Sequence, residues 1–326
     1  LALARKEGVA DTVTDTIGAS FGECDFIFLC APVSVNGQNL AALKKYLSPS
    51  CLLTDVGSVK GGIHDRIRAL GLSAQFIGGN PMAGSERFGY ANSKAHLLEN
   101  AYYILTPTAE VPAKKLESYR ELVAAMGAIP LVLSAGEHDY VTAAVSHLPH
   151  VIAASLVHLV KDSDSDDGIM KTIAAGGFKD ITRIASSSPG MWQQICLTNT
   201  DNILRLLDDY IRSLTLVRGD LERKNADALY GFFQGAQTYR DSFAEASSGP
   251  IKKSYSLTAD IADETGALAS VAALLAKNRI SIKNIGIVHN RERAEGALRI
   301  EFYGENDAVC AAGLLREHGY AIYEKK

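Results

Sequence analysis

Short apolar segments alternate with helix-like segments through the first 134 residues, and this rhythm constrains the fold more than any other feature of the chain. The apolar segments are CDFIFLCAPV, CLLTDVGSV, AQFIGG, AYYILTP and IPLVLS, and the segments between them include NGQNLAALKKYL and VPAKKLESYRELVAAMG. Strands that alternate with helices in this way are typical of βα units. The pattern predicts an α/β domain with a mostly parallel sheet over residues 1–134.

Two further domains are predicted after this point. Strand-like segments stop, and helical periodicity runs through EHDYVTAAVSHLPHVIAASLVHLV and through the stretch that begins MWQQICLTNTDNILRLLDDYI. This predicts an all-helical domain over residues 135–245. A linker, AEASSGPIKK, precedes residues 254–326, where a βαββαβ order predicts a small α+β domain with two helices on one face of its sheet.

Composition argues against several classes of function. The net charge is −4, and the lysines and arginines are spread along the chain, so no basic stripe is present to bind nucleic acid. The five cysteines show no C-x-x-C pairing, which favours a reducing compartment. No apolar run approaches the roughly 20 residues that a membrane helix requires. We therefore expect a cytoplasmic chain with neither a nucleic acid nor a membrane as partner.

The G-x-G-x-x-G turn that binds a dinucleotide pyrophosphate is not found in the 326 residues. In a Rossmann unit this turn follows the first strand, and the residue that selects NAD or NADP ends the second strand. The sequence starts at Leu1, without Met, inside a helix-like segment, LALARKEGVAD, so both features are expected to lie in a preceding segment. The missing turn therefore argues only weakly against a nucleotide-binding fold.

Two polar residues follow predicted strands at the edge of the sheet where ligands bind. Ser58 lies in TDVGSVKGG, and Asn80 lies in the glycine-rich loop FIGGNPMAGSERFGY. Taken alone, Ser58 is more readily interpreted as the cap of a helix that begins near Lys60. The Asn80 amide can orient a ligand but cannot take a proton at neutral pH.

Two segments of the helical region carry further candidates. SHLPH places His147 and His150 three residues apart on an apolar helix, and only His138 lies near them, so we predict no metal; one histidine is expected in the core and the other facing a cleft. In AAGGFKDITRIASSSPGMW, Arg183 has small neighbours that suit a guanidinium binding a carboxylate. A helix-start loop with surface ion pairs is the alternative for this second segment.

Four motifs, taken together, resemble one family. DVGSVK, GGNPMAGSE, HDYVTAAVSHLPH and GGFKDITRIASSSPGMW occur in the order and spacing of the prephenate dehydrogenase family of tyrosine biosynthesis, in its bacterial form with a C-terminal ACT domain. The resemblance runs from Leu1 to about Phe243, and the chain from about Ser254 resembles an ACT module through DETGALASVAALLAKNRISIKNI.

The resemblance implies a fold and a reaction. It implies a Rossmann domain for the cofactor and a helical domain that forms an intertwined homodimer, with the active site in the cleft between these two domains. Members of the family oxidise prephenate at its ring hydroxyl carbon, pass hydride to NAD(P)⁺ and release the ring carboxylate as carbon dioxide, which yields 4-hydroxyphenylpyruvate. NAD is the expected cofactor, with NADP as the alternative.

The resemblance also implies roles for individual residues. The expected catalytic group is Asn80, Ser58 and His150. The expected substrate-binding residues are Arg183, which would bind a substrate carboxylate, and Glu86, Gly176 and Trp192. The expected cofactor-binding residues are Ala31, Pro32, Val33, Val56, Gly57 and Ser58. The C-terminal module is expected to bind tyrosine at Gly266, Ala267, Asn284 and Ile285, with dimerisation alone as the alternative.

The chain departs from the family at Asn80, where the family has a histidine that is the expected base at the ring hydroxyl. Asparagine preserves one hydrogen bond and deletes proton transfer, so we predict that turnover is impaired by about 10²–10⁴-fold. An engineered substitution and a natural loss would look identical. Two other functions stay open: an amino-acid-sensing protein whose dehydrogenase body serves only for dimerisation, and an arogenate dehydrogenase.

Overall fold

The computed structural model describes residues 1–31, 33–84, 89–246, 255–262, 264–288 and 296–323. The chain divides into two units, residues 1–224 and 225–326. The first unit holds both the sheet and most of the helices that follow it, because the helix beginning at Ala135 packs against the sheet region. The finer division at residues 134 and 245 stays a prediction.

Five strands form the sheet of the first unit, and all five coincide with predicted segments: β1 (Phe26–Leu29), β2 (Leu52–Asp55), β3 (Ile77–Pro81), β4 (Tyr102–Pro107) and β5 (Ile129–Val132). β1–β2 and β4–β5 are parallel pairs, and a parallel bridge between Leu53 and Phe76 links β2 to the segment leading into β3. β3 and β4 are antiparallel. The described part of the connection between them contains no α-helix, whereas a parallel pair needs a crossover. The predicted mostly parallel sheet is confirmed, with this one exception.

The helices in this part of the chain are α1 (Ala2–Lys6), α2 (Val33–Leu43), α3 (Gly61–Ala69) and α4 (Ala113–Ala125). Every residue of β2 is buried, as expected for a strand covered on both faces. Tyr119 of α4 is fully buried, and its hydroxyl forms hydrogen bonds with Thr54 and Tyr103 at 2.9 and 3.0 Å. The satisfied hydroxyl lets a large side chain fill the core beside β2, so the carboxyl end of β2 is held rigidly.

The chain after residue 134 is helical, as predicted. The remaining helices of the first unit are α5 (Ala135–Thr142), α6 (Leu148–Ser163), α7 (Ile169–Ile173), α8 (Gly176–Thr182), α9 (Pro189–Thr198) and α10 (Thr200–Glu222). Ser134 and Glu137 form a capping box that starts α5, and a π-helical turn over Ala143–His147 joins α5 to α6. Ser188 caps α9, which begins at a proline.

One expectation about membranes is corrected. The continuous helical stretch Ala135–Ser163 is long and apolar enough to cross a membrane by length and composition. It was not predicted from the sequence because polar residues such as His138 and Asp139 interrupt the apolar run. Both of these side chains are buried in hydrogen bonds within the protein, so we assign the stretch to the wall of the site described below. All five cysteines are free.

The second unit begins with α11 (Ala226–Ala246) and continues with β6 (Tyr255–Ile261), α12 (Ala267–Lys277), β7 (Ile282–Val288), β8 (Gly296–Phe302), α13 (Glu305–Glu317) and β9 (Ile322–Tyr323). The predicted βαββαβ order is confirmed. The strands pair in the order β7-β8-β6-β9, and each pair is antiparallel. Alternate residues of β6 and β8 pack against α12 and α13 in one core, which is the ferredoxin-like arrangement.

Candidate active site

A cavity of about 370 Å³ lies where the carboxyl ends of β2 and β3 meet the helices that follow residue 135. Four predicted site residues line it: Ser58, Asn80, His150 and Trp192. His147 also lines it. The cavity therefore brings together residues from four separate stretches of the chain, as a site at the edge of an α/β sheet requires.

The interpretation of Ser58 as a helix cap is wrong. α3 begins at Gly61 and its N-cap residue is Lys60, with no cap from its own neighbourhood. The cap comes from α5 instead: the carboxylate of Asp139 accepts the backbone N–H groups of Lys60 and Gly61 at 2.7 and 2.8 Å. A carboxylate at a helix N-terminus is favourable, and Ser58 is left half-buried on the cavity wall.

Lys60 is fully buried, which its sequence context does not predict. Its ammonium donates to Asp55 Oδ2 at 2.5 Å and to the carbonyl of Gly79 at 2.6 Å. Burial lowers the pKa of Lys60, and the charge of Asp55 opposes that shift. The side chain ties the turn after β2 to the residue before Asn80. The one sequence signal for this buried ion pair is a lysine five positions after an aspartate at the end of a strand.

A chain of hydrogen bonds lies behind Asn80. The amide Nδ2 is 2.8 Å from Nε2 of His138, and Nδ1 of His138 is 2.7 Å from Oδ1 of Asp139. Burial raises the pKa of Asp139, but the hydrogen bonds from His138 and from the backbone of Lys60 and Gly61 outweigh burial and hold this pKa below its usual range. Asp139 is therefore an ionised acceptor. From the sequence, His138 was a candidate only as a metal ligand.

The two histidines of SHLPH both reach the cavity. His147 is 1% exposed, and its Nδ1 lies 3.1 Å from the amide Nδ2 of Asn199. Burial lowers the pKa of His147 to about 4. His150 donates from Nδ1 to the carbonyl of Ser146 at 2.8 Å, and its ring stacks on Trp192 with the centroids 3.6 Å apart. One core histidine and one cleft histidine were predicted. His147 is buried as expected of the core residue, but it lines the cavity together with His150.

Two of the remaining substrate-binding candidates, Arg183 and Gly176, do not line the cavity. Arg183 is exposed on the 3₁₀ turn Arg183–Ser186, and its neighbour Ile184 lines the cavity while Arg183 does not. Gly176 is exposed at the start of α8. Glu86 lies outside the described residues. The role of each in binding stays a prediction.

Two family models match most of the chain. The nucleotide-binding domain of prephenate dehydrogenase matches residues 1–131, and the dimerization domain of prephenate dehydrogenase matches residues 134–235. A prephenate dehydrogenase from Bacillus subtilis strain 168 is 40% identical over 309 residues, which are 93% of this chain and 82% of the relative. The chain belongs to the prephenate dehydrogenase family. The resemblance inferred from the four motifs is confirmed.

Solved structures of the family share the fold. The structure of prephenate dehydrogenase from Aquifex aeolicus in complex with hydroxyphenyl propionate and NAD⁺ has a TM-score of 0.70 and 32% identity, and the match covers 74% of this chain and 85% of that one. Arogenate dehydrogenase from Synechocystis has a TM-score of 0.68 and 27% identity, with coverage of 74% and 87%. The Rossmann-like and helical parts of the predicted architecture are therefore confirmed.

The edge of the sheet fits the nicotinamide cofactor of this family. The predicted cofactor residues follow the parallel neighbours β1 and β2. Ala31, Val56, Gly57 and Ser58 lie in the turns after these strands, and Val33 is the first residue of α2; Pro32 lies outside the described residues. Asn36 of α2 donates to the carbonyl of Ala31 at 2.8 Å, and its buried Oδ1 has no hydrogen-bond partner among the described residues. A buried acceptor beside the first turn fits a bound group that donates a hydrogen bond.

The predicted regulatory residues lie in the second unit. Gly266 adopts φ +97° before α12, a left-handed conformation that favours glycine. Ala267 and Ile285 both pack against the core of this unit, and Asn284 is exposed on β7 next to a β-bulge. Their role in binding an amino acid stays a prediction.

Proposed function

We propose that this chain is an NAD-dependent prephenate dehydrogenase, in which prephenate is oxidised and decarboxylated to 4-hydroxyphenylpyruvate. The observation that carries the proposal is the cavity in which Ser58 and residue 80 meet His147, His150 and Trp192, in a chain of this family. The nearby turns after β1 and β2 support NAD as the cofactor.

For this reaction the protein must mainly position the substrate and the cofactor and accept one proton. The hydroxyl proton of the ring carbon must leave as a carbonyl develops there, while the hydride from that carbon passes to NAD⁺. Loss of the ring carboxylate as carbon dioxide then gives the aromatic product. Ser58 binds and orients the ring hydroxyl, and residue 80 is the group that should receive its proton.

Asn80 impairs this step. Its amide holds the hydroxyl in place but has no basic nitrogen, so the proton must leave to water or to a more distant group. General-base assistance contributes about 10²–10⁴-fold, and the turnover of this chain is reduced by a factor in that range. Substrate affinity is preserved, because one hydrogen bond to the hydroxyl remains.

Arg183 binds a carboxylate of the substrate. Its turn continues directly into Ile184 on the cavity wall, and its exposed guanidinium provides a planar pair of donors. Arg183→Ala should weaken prephenate binding by about 10-fold or more with little change in the thermal midpoint, because an exposed side chain contributes little to the core. Arg212→Ala, which removes an exposed arginine of α10, is the matched control. Unchanged prephenate affinity with a large loss of stability would refute this role.

The protein is a homodimer. The helical region leaves large apolar side chains of α10 exposed, and Leu204, Ile211, Leu214 and Leu221 are each about half exposed or more. A surface of this kind marks an interface, and the same region matches the dimerization domain of the family. Sedimentation should give a dimer that Ile211→Lys converts to a monomer; a monomeric parent protein at micromolar concentration would contradict the assignment.

The βαββαβ module is an ACT domain that binds tyrosine, the end product of the pathway. Support comes from the fold of the second unit, from the left-handed glycine Gly266 before α12 and from the exposed side chain of Asn284 on β7. In an active form of the enzyme, Asn284→Ala should relieve tyrosine inhibition, whereas Lys277→Ala at the end of α12 should not. Inhibition of both variants at the parental tyrosine concentration would indicate that tyrosine acts elsewhere.

The test of the proposed function is a turnover assay with prephenate or arogenate, each combined with NAD⁺ or NADP⁺. Slow but measurable turnover of prephenate with NAD⁺ is expected. The similarity to an arogenate dehydrogenase makes preference for arogenate the second candidate. Absence of turnover with every combination, together with tyrosine binding, would instead indicate an amino-acid-sensing protein.

A further inference from the structure

The amide of Asn80 turns its donor side toward the protein. Nδ2 lies 2.8 Å from Nε2 of His138 and 3.5 Å from Sδ of Met82. Oδ1 of the same amide accepts no hydrogen bond in the part of the chain that the structure describes, and Asn80 lines the cavity. The oxygen is therefore the atom that residue 80 offers to a ligand.

Asp139 determines this direction. Its carboxylate receives the backbone N–H groups of Lys60 and Gly61, and an ionised carboxylate can only accept, so Nδ1 of His138 must donate to it. A neutral imidazole has a single N–H, which leaves Nε2 of His138 as an acceptor. Asn80 must then donate from Nδ2. Asn80, His138 and Asp139 are at most 6% exposed, so water has little access to replace these partners.

We infer that His138 and Asp139 are positioning residues that set the hydrogen-bonding direction of residue 80, so that the cavity presents an acceptor and selects a ligand with a protonated ring oxygen. The inference rests on the proposed function for the identity of that oxygen, the ring hydroxyl of prephenate. An imidazole at position 80 would donate its N–H to the same Nε2 of His138. Its other nitrogen would then be unprotonated toward the cavity, as a general base requires.

The first test needs no ligand. Nitrogen-15 NMR of the intact protein with labelled histidine reports which ring nitrogen carries the proton, and His138→Gln assigns the His138 signals by their loss. We expect His138 to be protonated at Nδ1 and unprotonated at Nε2. His147 should show the opposite tautomer, since its Nδ1 faces an amide donor. A proton on Nε2 of His138 would overturn the inference.

The second test compares two ligands of similar size, 3-(4-hydroxyphenyl)propionate and 3-(4-fluorophenyl)propionate, by calorimetry. The hydroxyl ligand should bind about 10-fold more tightly, the effect of one hydrogen bond of about 1.4 kcal/mol. Asp139→Asn removes the negative charge that holds the proton of His138 on Nδ1, and it should reduce this preference to about 2-fold or less. His64→Gln is the control, because His64 is also buried and bonded to a hydroxyl, that of Thr106, but does not line the cavity.

The outcomes separate the inference from the proposed function. An unchanged ligand preference in Asp139→Asn would overturn the inference, even if the enzyme turns over prephenate. Binding of neither ligand would contradict the proposed function, and the tautomer of His138 would still decide the inference. An equal loss of ligand preference in His64→Gln and Asp139→Asn would show that the loss comes from general destabilisation of the protein. That result would also overturn the inference.

Discussion

Acid should destabilise the first unit through His147. The imidazole is 1% exposed, and its Nδ1 accepts from the amide of Asn199 at 3.1 Å. That amide cannot easily turn, because its Nδ2 also donates to the carbonyl of Asp139 at 2.7 Å and its Oδ1 accepts from Asn202. A proton on Nδ1 would face an N–H group, which adds to the burial that lowers the pKa of His147 to about 4.

The sign and the size of the effect follow from this shift. The pKa of His147 is about 4 in the folded protein and 6.5 as the reference for the unfolded chain, so at intermediate pH only the unfolded chain binds the proton. The stabilisation is complete above pH 6.5 and is lost as the pH falls toward 4. At up to about 1.4 kcal/mol per pH unit, the free energy of unfolding decreases by about 3 kcal/mol across this window.

Urea unfolding followed by tryptophan fluorescence measures this effect. The chain has one tryptophan, Trp192, and its ring centroid lies 6.0 Å from that of His147. In His147→Gln, which does not titrate, the loss of stability between pH 7 and pH 4.5 should be smaller by about 2–3 kcal/mol than in the parent. His158→Gln removes an exposed histidine and is the control. If His147→Gln retains the full loss in acid, the reasoning about His147 is refuted.

Two further predictions concern the packing beneath the cavity, and both are measured by urea unfolding. Lys60→Met should lower the free energy of unfolding by about 3–5 kcal/mol because it leaves Asp55 buried and without its cation, and a decrease below about 1 kcal/mol would contradict that view of the pair. Gly79→Ala should cost about 1–3 kcal/mol or more, since its new Cβ would lie 2.6 Å from the carbonyl oxygen of Asp55, whereas Gly62→Ala in α3 has open space and should be neutral or stabilising. Equal effects of the two alanines would show that close packing at Gly79 is unimportant.

The strands were predictable from sequence because each is a short apolar run bounded by turn residues. The direction of β3 against β4 was not, because it depends on whether the connection contains a crossover helix rather than on the residues of either strand. The βαββαβ order was predictable for the same local reasons as the strands.

The site was predictable only in part. Ser58, Asn80, His150 and Trp192 follow from motifs, and the structure brings all four to one cavity. The contacts of Asp139 with the start of α3 join residues 78 and 79 positions apart, which no local pattern encodes.

A local motif also has limits as a guide to binding residues. The small neighbours of Arg183 favoured a binding role, but they cannot say what its side chain contacts. In the structure Arg183 is exposed, and the cavity wall begins at the next residue, Ile184.

The central claim is that residue 80 is the position of the proton acceptor and that asparagine there limits turnover. The most direct test is the initial rate of NADH formation from prephenate and NAD⁺, measured against pH for the parent protein and for Asn80→His. We predict that kcat of Asn80→His is about 10²–10⁴-fold higher with little change in KM, and that its rate falls in acid as the new imidazole is protonated, a dependence that the asparagine form lacks. Equal turnover and matching pH profiles would contradict the claim and would make His150 the next candidate for the base.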